Sequence, residues 1–448
     1  MLKRKLTALS FATSSDVSRN AGGFDVCSDA TLPNLPVELI WQIAAHLVKP
    51  TLTHDFERLT VRKRKYDLCA LRLVCRRLFE TVHDVFLSAA FSALEVDLTL
   101  SHLEALVDIA RDSRYSAAVK TLHFVMAEAW PDADDWDEAY DQEVLERNYI
   151  ERGAGAILLR KALDGFSNLQ AIKIQPTMWF PGNSRFVTSR WPHGEGSTTS
   201  LMSTIFAALS LSTARIKTLA FTRRHPFTDD LNGPTGCYIP HFSIPSSSMA
   251  AFQHLTTLDL VIALRPSKRF DLSMAVAFTV FLSTMKQLES LSIRFDSHVL
   301  SEIVTREFLI DCKFLKLRRF RLEVAWVWKT ISGCCPLLEF VRNNKHVRHL
   351  EIAFMDLDEG GCTSFLETLR TECRDLEDVS LRYITEEMSA VLFNERKCIS
   401  TRGVDGMAAW LSEAQRSISI ANTDHDECPA ARYENYPDDS EYDSSGSG

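Results

Sequence analysis

Hydrophobic positions in residues 35–82 recur every three or four residues, which is the spacing of one face of an α-helix. The first stripe consists of Leu35, Leu39, Ile43 and Leu47, with Ile40 and Ala44 beside it. The second consists of Leu71, Val74, Cys75, Leu78 and Val82. The sequence therefore predicts two short amphipathic helices packed on each other. Because so small a piece cannot enclose its own core, some apolar surface is predicted to remain for a partner or for the rest of the chain.

A second pattern follows residue 100, in which a helical stretch precedes the motif apolar-x-x-apolar-x-apolar. The motifs are VKTLHF (119–124), LQAIKI (169–174), IKTLAF (216–221), LTTLDL (255–260), LESLSI (288–293), LRRFRL (317–322), VRHLEI (347–352) and LEDVSL (376–381). The last four motifs end at intervals of 29, 30 and 29 residues, and this regularity indicates a structural repeat.

Each motif reads as a strand, and helical patterns precede most of them. These patterns cover residues 102–113, 156–166, 202–211, 278–287, 302–312 and 365–375. Helix–strand alternation predicts parallel strands joined by right-handed crossovers. We therefore expect a curved solenoid with a parallel sheet inside the bend and helices outside.

Residues beside the last apolar position of each motif point to the opposite face of the strand. These residues are Lys173, Asp259, Arg294, Arg321, Glu323, Glu351 and Arg382. We expect them to line the concave face of the sheet. One hypothesis is that they bind a protein substrate; an ordinary solvated sheet face is the alternative.

Three insertions, residues 127–143, 176–200 and 222–248, begin just after strand motifs and should leave the sheet at one edge. The first two carry the large aromatic residues Trp130, Trp136, Tyr140, Trp179, Phe180 and Trp191. Exposed aromatics are typical of partner contacts. Folding back onto the solenoid edge is the alternative.

Composition fits an ordinary soluble protein, with 46% hydrophobic and 24% charged residues. The net charge of −9 argues against a protein that coats nucleic acid, and no apolar run approaches the ~20 residues of a transmembrane helix. Residues 1–30 are predicted to be a flexible leader, with a mitochondrial presequence as the alternative, and residues 411–448 an acidic disordered tail. Cytoplasmic or nuclear localisation is expected.

Motifs that would indicate catalysis are missing from the sequence. It contains no Gly-rich phosphate loop, no G-x-S-x-G, no H-E-x-x-H and no C-x-x-C pair. The eleven cysteines have no framework spacing and are expected to be free thiols. His346 and His349, near Cys334 and Cys335, could hold a metal, although packing or surface roles are the alternatives. We therefore predict no catalytic residue, cofactor or metal.

The first helical segment has a recognisable pattern, Leu-Pro-x-Glu-Leu-x-x-x-Ile-x-x-x-Leu followed by Leu-Arg-x-Val-Cys-Arg. It resembles the F-box over residues 31–90, through Leu35, Pro36, Glu38, Leu39, Ile43 and Leu47, then Leu71, Arg72, Val74, Cys75 and Arg76. Residues 91–410 resemble degenerate leucine-rich repeats that lack the usual Asn or Cys after the strand. Two departures from the F-box pattern are Leu78, where many members have Trp, and a long connection at 49–67. The resemblance implies an α/β protein with a small helical module followed by a solenoid.

The same resemblance implies docking to a Skp-type adaptor and, through it, to a cullin–RING ubiquitin ligase. The adaptor-facing candidates are Leu35, Pro36, Leu39, Ile43, Leu47, Leu71, Val74, Cys75 and Leu78, some of which must pack inside the module. The implied function is the substrate-recognition subunit of an SCF-type ligase, with no nucleic-acid or membrane partner. The alternatives are a non-catalytic interaction scaffold whose F-box does not act in ubiquitination, and a hydrolase within the degenerate array. The sequence does not name the substrate.

Overall fold

Helices make up the first part of the chain and a long sheet dominates the second. The computed structural model describes residues 35–48, 68–96, 98–125, 153–175, 204–221, 237–238, 246–263, 272–295, 301–327, 333, 335–387, 389–402 and 406–421. The chain divides into a helical unit, Met1–Phe86, and a sheet unit, Leu87–Gly448. Within the described residues, no helix has the length and apolar character needed to cross a membrane.

The helical unit begins with α1 (Val37–Val48), followed by α2 (68–73), α3 (Arg76–Thr81) and the start of α4 (His83–Phe91). Its buried apolar residues are Ile40, Ala44, Leu68, Leu71, Leu78, Val82 and Phe86. The second predicted stripe is not one helix, because the backbone of Cys75 is extended (φ −161°, ψ 165°) and separates α2 from α3. The break keeps Leu71 and Leu78 in the interior and leaves Val74 outside.

The sheet unit contains one mixed sheet of thirteen strands, counted over the described residues. Strand order is β1-β2-β3-β4-β6-β7-β8-β9-β10-β11-β13, with β5 beside β6 and β12 beside β10. The strands are β1 (Ala93–Val96), β2 (Thr121–Val125), β3 (Ala171–Gln175), β4 (Thr218–Phe221), β5 (Cys237–Tyr238), β6 (Thr257–Ala263), β7 (Ser290–Phe295), β8 (Arg319–Val327), β9 (His349–Leu357), β10 (Asp378–Glu386), β11 (Ser389–Phe393), β12 (Cys398–Arg402) and β13 (Ile418–Ala421). All pairings from β1 to β10 are parallel, whereas β11, β12 and β13 pair antiparallel.

The predicted parallel sheet is confirmed, since all eight motifs form strands that follow one another in the sheet. The helices of this unit are α5 (Leu100–Arg111), α6 (Ser113–Ala118), α7 (Ala154–Gly165), α8 (204–211), α9 (Leu272–Ser283), α10 (Ser301–Asp311), α11 (Pro336–Asn343), α12 (Gly361–Glu372) and α13 (Met407–Arg416), with a 3-10 helix at Ser246–Phe252. Regular structure continues past residue 411, where Leu411 and Ala414 are buried. Residues 411–421 therefore belong to the folded unit rather than to a tail.

A backbone ladder aligns the strands at the edge where they begin. The carbonyl of Lys120, just before β2, accepts hydrogen bonds from the N–H groups of Gln170 and Ala171 at 2.8 and 3.1 Å. The same carbonyl-to-two-amides arrangement recurs at Ser92, Gln170, Lys217, Thr256, Glu289, Arg318 and Arg348. Because each repeat is fixed to its neighbour at the same point, equivalent side chains lie in rows across the sheet.

Phenylalanine side chains connect neighbouring helices on the covered side of the sheet. The ring centroids of Phe278 on α9 and Phe308 on α10 are 6.1 Å apart, and those of Phe308 and Phe340 on α11 are 6.4 Å apart. Both pairs meet edge to face, an arrangement that adds about 0.5–1.5 kcal/mol beyond apolar burial. The helical layer is thus held together by direct contacts as well as by the sheet.

Asn344 fixes the turn between α10 and β8. Its side-chain oxygen accepts from the backbone N–H of Phe314 at 2.7 Å, and its amide nitrogen donates to the carbonyls of Cys312 and Phe340 at 3.2 and 2.8 Å. Asn344 is 2% exposed. A side chain from the following repeat thus satisfies two buried backbone groups of this turn.

We predict that Asn344→Ala lowers the free energy of unfolding of the sheet unit by about 2–4 kcal/mol, because it leaves buried backbone groups without partners. Urea unfolding followed by intrinsic fluorescence measures the change. Asn343→Ala is the matched control, since this half-buried neighbour donates one hydrogen bond of 3.3 Å to the Ile310 carbonyl. An equal loss in the two variants would contradict the bridging role.

Candidate functional site

The helical unit presents a group of large apolar side chains to solvent. These are Val37 (37% exposed), Leu39 (43%), Trp41 (53%), Leu73 (60%), Val74 (56%) and Phe79 (43%). We call this group the apolar surface. Helix α1 therefore exposes apolar side chains on both flanks of its buried side, since Ile40 and Ala44 are buried between Leu39 on one flank and Val37 and Trp41 on the other.

Polar contacts hold this part of the unit in place. Trp41 Nε1 donates to the backbone carbonyl of Thr81 at 2.9 Å, which fixes an exposed indole ring against the end of α3. Arg77 Nη2 donates to the carbonyl of Leu35 at 3.3 Å. Both contacts join the start of the unit to α3, so exposed side chains near them have a defined position before any partner arrives.

The Arg72 guanidinium connects the segments on either side of the helix break. It lies 4.3 Å from the ring centroid of Phe79 and 3.7 Å from that of Phe86. Its Nη2 atom is also 3.3 Å from Nδ1 of His83. A guanidinium placed on aromatic faces at these distances is favourable by about 0.5–2 kcal/mol, and here it joins α2 to α3 and α4.

The predicted adaptor-facing residues differ in their exposure to solvent. Pro36, Leu39 and Val74 are exposed; Leu35, Ile43 and Cys75 are half-buried; and Leu71 and Leu78 lie in the interior. The side chain of Leu47 is outside the described part of the structure. Sequence reasoning missed Val37, Trp41, Leu73 and Phe79. The spacing of four between Val37 and Trp41 could have indicated a second apolar side of α1.

The charged residues predicted to share a sheet face lie in two adjacent rows. In the first row, the register pairs Asp259 with Ser292, Ser292 with Arg321, and Arg321 with Glu351. The second row contains Arg294, Glu323, Ala353 and Arg382. Side chains two residues apart along a strand point to the same face, so both rows lie on one side of the sheet.

Glu323 is the centre of the interactions among these residues. Its carboxylate is 2.6 Å from Arg321 Nη2, 3.4 Å from Arg382 Nη2 and 3.8 Å from Arg294 Nη1. Its side chain is 7% exposed, compared with 42% for Arg321 and 30% for Arg382. A buried carboxylate is therefore surrounded by three guanidinium groups whose outer parts reach solvent to different extents.

A second carboxylate, Glu351, completes the cluster. It lies 3.6 Å from Arg321 Nε and also contacts Arg382 Nη2. Burial alone would lower the pKa of Arg321, but its hydrogen bond to Glu323 and the nearby carboxylates raise that pKa above the ordinary value. For Asp259, burial raises the pKa, and the hydrogen bond with Ser292 and the charge of Arg321 offset it only in part. We call these six residues, Asp259, Arg294, Arg321, Glu323, Glu351 and Arg382, the charged network.

Lys173, the seventh predicted residue, stands apart from the charged network. It is exposed and lies in the first row, but Ala220 separates it from Asp259. The structure thus brings together six of the seven predicted residues. It also shows that five of them are joined by ion pairs, whereas Asp259 hydrogen-bonds Ser292, which strand periodicity alone could not reveal.

Three neighbouring strands adopt a left-handed backbone next to the charged network. Val324, Phe354 and Tyr383 have φ values of 57°, 53° and 53° and occur at the same level of β8, β9 and β10. The rings of Phe354 and Tyr383 stack with centroids 4.8 Å apart. These residues interrupt strand alternation and place an aromatic pair beside the charged rows.

The two histidines of the metal site that the sequence allowed each contact a different aspartate. His346 Nδ1 is 3.2 Å from Asp375 Oδ2, and His349 Nδ1 is 2.7 Å from Asp378 Oδ2. Cys335 is half-buried, and Cys334 lies outside the described residues. Within the described chain, no group of three or more His, Cys, Asp or Glu side chains could hold a metal ion.

The described residues do not include all of the sequence-based candidates. The aromatic insertion residues Trp130, Trp136, Tyr140, Trp179, Phe180 and Trp191 fall outside them, as do residues 1–30 and the long connection at 49–67. No family model matches the chain, and no curated protein matches it. Functional interpretation therefore depends on the apolar surface and the charged network.

We predict that Glu323→Gln destabilises the sheet unit by about 3–5 kcal/mol, because it removes the buried negative charge shared by three guanidinium groups. Chemical denaturation measures the effect. Glu289→Gln is the control, since Glu289 is exposed, and a change within about 0.5 kcal/mol is expected there. Equal effects would show that the contacts of Glu323 are not important for stability.

Asp259→Asn should stabilise the protein at pH 7. Because burial raises the folded-state pKa of Asp259 above its ordinary value of 3.8, keeping this group ionised costs stability above the folded pKa. That cost disappears as the pH falls through the folded pKa towards the unfolded value. The difference in Tm between variant and wild type should therefore shrink in acid. A constant difference across the range would contradict this assignment.

Proposed function

We propose that this protein is the substrate-recognition subunit of an SCF-type cullin–RING ubiquitin ligase. In this role the helical unit binds a Skp-type adaptor, and the sheet unit holds a protein substrate. The observation that carries the proposal is the apolar surface, whose six large side chains remain exposed on a unit that already has its own buried core.

The composition of the apolar surface supports docking to a protein. Tryptophan and other aromatic residues dominate the energetics of protein interfaces, and Trp41 and Phe79 are 53% and 43% exposed. Leu39 and Val74, which belong to the F-box-like pattern, lie in the same exposed group. The hydrogen bond from Trp41 to Thr81 reduces the conformational entropy that binding would otherwise cost.

We also propose that the helical unit is an F-box and that the sheet unit consists of degenerate leucine-rich repeats. Support comes from the strand motifs spaced by 29 or 30 residues and from the helix that precedes each of the last four strands of the parallel run. The carbonyl ladder adds to this support, since it repeats the same contact between successive repeats.

The charged network is the proposed substrate surface of the sheet unit. Arg321, Glu351 and Arg382 are 42%, 33% and 30% exposed and already neutralise one another. A substrate would therefore have to offer both positive and negative groups to compete with these pairs. Lys173 adds an exposed positive charge on the same face. Ubiquitin transfer would be promoted by proximity alone, and this chain would perform no bond chemistry.

The adaptor assignment predicts that Leu39→Asp combined with Val74→Asp weakens adaptor binding by about 100-fold or more, because each charge is placed in an apolar contact worth ~2 kcal/mol. Both residues are exposed, so the fold should be retained. Co-purification with a Skp-type adaptor and titration calorimetry would measure the loss.

A matched control is Val276→Asp with Val280→Asp, which changes two exposed valines of α9 in the sheet unit. This variant should bind the adaptor like the wild type. Unchanged binding by the Leu39 and Val74 double variant would remove the basis of the proposal. Adaptor binding without ubiquitination of captured proteins in a reconstituted ligase would favour the scaffold alternative.

A further inference from the structure

The turn that precedes β8 is a concentrated positive surface in a chain whose net charge is −9. Within residues 312–319, the side chains of Lys313, Lys316, Arg318 and Arg319 are exposed, whereas Cys312, Phe314 and Leu317 are buried. We call residues 312–319 the basic turn. Leu315 lies among these cations and is 71% exposed.

The cations of the basic turn lack acidic partners within the described residues. Lys313, Arg318 and Arg319 form no ion pair there, and Lys316 donates to a neutral group, Gln287 Oε1, at 2.5 Å. The acidic residues next to this turn in the sheet and in the chain are Glu289, in the preceding turn, and Asp311, at the end of α10. Neither forms an ion pair with this turn.

In the next repeat, the basic residues before β9 are paired with carboxylates. Before β9, Arg348 Nη1 lies 3.0 Å from Glu377 Oε1, and Lys345 Nζ lies 2.6 Å from Glu372 Oε2. His346 and His349 contact Asp375 and Asp378 in the same way. The turn before β10 therefore supplies four carboxylates to the turn before β9.

Among the residues that the structure describes, no equivalent acidic row faces the basic turn. Arg319 is in register with His349, and Arg318 is joined to Arg348 by the carbonyl ladder. Basic residues of the two repeats are therefore next to each other. The carboxylates of the β10 turn are already engaged one repeat further along. Within the described residues, the basic turn therefore has no neutralising carboxylate, and its cations lie beside an exposed leucine.

From this arrangement we infer that the basic turn is a second docking surface, which binds an acidic polypeptide segment of a partner protein. The segment would place carboxylates on Lys316, Arg318 and Arg319 and an apolar side chain on Leu315. The internal acidic row, Glu372, Asp375, Glu377 and Asp378, shows a spacing of carboxylates that fits such a row of bases.

Hydrogen bonds hold the backbone of the basic turn in place. Asn344 holds the backbone at Cys312 and Phe314, and the ladder holds it at Arg318. A rigid backbone lowers the entropy cost of association. The aromatic residue of the turn, Phe314, is buried. The turn therefore offers no stacking platform of the kind used by proteins that bind single-stranded nucleic acid, and this favours a polypeptide partner.

The test uses the full chain and a fluorescent 12-residue peptide with Glu and Asp around a central Leu. Binding is measured by anisotropy and compared with the isosteric Gln/Asn peptide and a single-stranded oligonucleotide of equal charge. The acidic peptide should bind more tightly than both, and its affinity should fall as salt is raised. Lys316→Glu with Arg318→Glu should weaken binding by about tenfold or more, and the milder change of both residues to Gln should have an intermediate effect.

Lys161→Glu with Arg396→Glu is the matched control, since both residues are exposed and form no ion pair in the described residues. It should bind the peptide like the wild type. Equal binding of the acidic and amide peptides, tighter binding of the oligonucleotide, or wild-type affinity in the Lys316 and Arg318 variant would overturn the inference. The inference does not depend on adaptor docking, which should be unchanged in all of these variants, so the two proposals can fail separately.

Discussion

The sheet unit depends on one repeated backbone contact, in which the carbonyl just before a strand accepts two N–H groups from the next repeat. Arg318, for example, accepts from Arg348 at 2.8 Å and from His349 at 2.9 Å. This contact sets the level at which every strand of the parallel run begins. It therefore decides which side chains become neighbours across repeats, and the rows of charge follow from it.

The alignment of the strands has different electrostatic consequences on the sheet face and at the edge where the strands begin. On the sheet face, opposite charges meet, so Glu323 and the guanidinium groups around it neutralise one another. At the edge where the strands begin, Arg318 and Arg348 follow one another in the ladder, and within the described residues only Arg348 contacts a carboxylate. A partner of the charged network would have to compete with its internal ion pairs, whereas the cations of the basic turn have no carboxylate partner within the described residues. In the helical unit the surface left without a partner is apolar, since α1 buries Ile40 and Ala44 and exposes Leu39 and Trp41.

Sequence periodicity predicted the parallel strands because each motif repeats the same apolar spacing. Antiparallel β11, β12 and β13 were missed, since they belong to no repeat. The break at Cys75 was also missed, because the apolar spacing continues across it while the backbone becomes extended. Side chains alternate between the two faces of a strand, so the sequence placed Arg321 and Glu323 on one face. Contacts between strands depend on the register of neighbouring strands, which the sequence of one strand does not specify. The spacing of Val37 and Trp41 indicates that they share a side of α1, but the sequence could not decide whether that side is exposed, since a tryptophan in an amphipathic helix suits a core equally well.

The carbonyl ladder also determines where the chain can change in length without disturbing the fold. Turns on the ladder side must reach a fixed acceptor, although the interval between successive acceptors varies from 28 residues (Ser92 to Lys120) to 50 residues (Lys120 to Gln170). The described strands β2, β3 and β4 end at Val125, Gln175 and Phe221, and in the sequence the segments 127–143, 176–200 and 222–248 follow those ends. Evolution, or an engineer grafting new recognition loops, can lengthen the chain on that side without disturbing strand alignment.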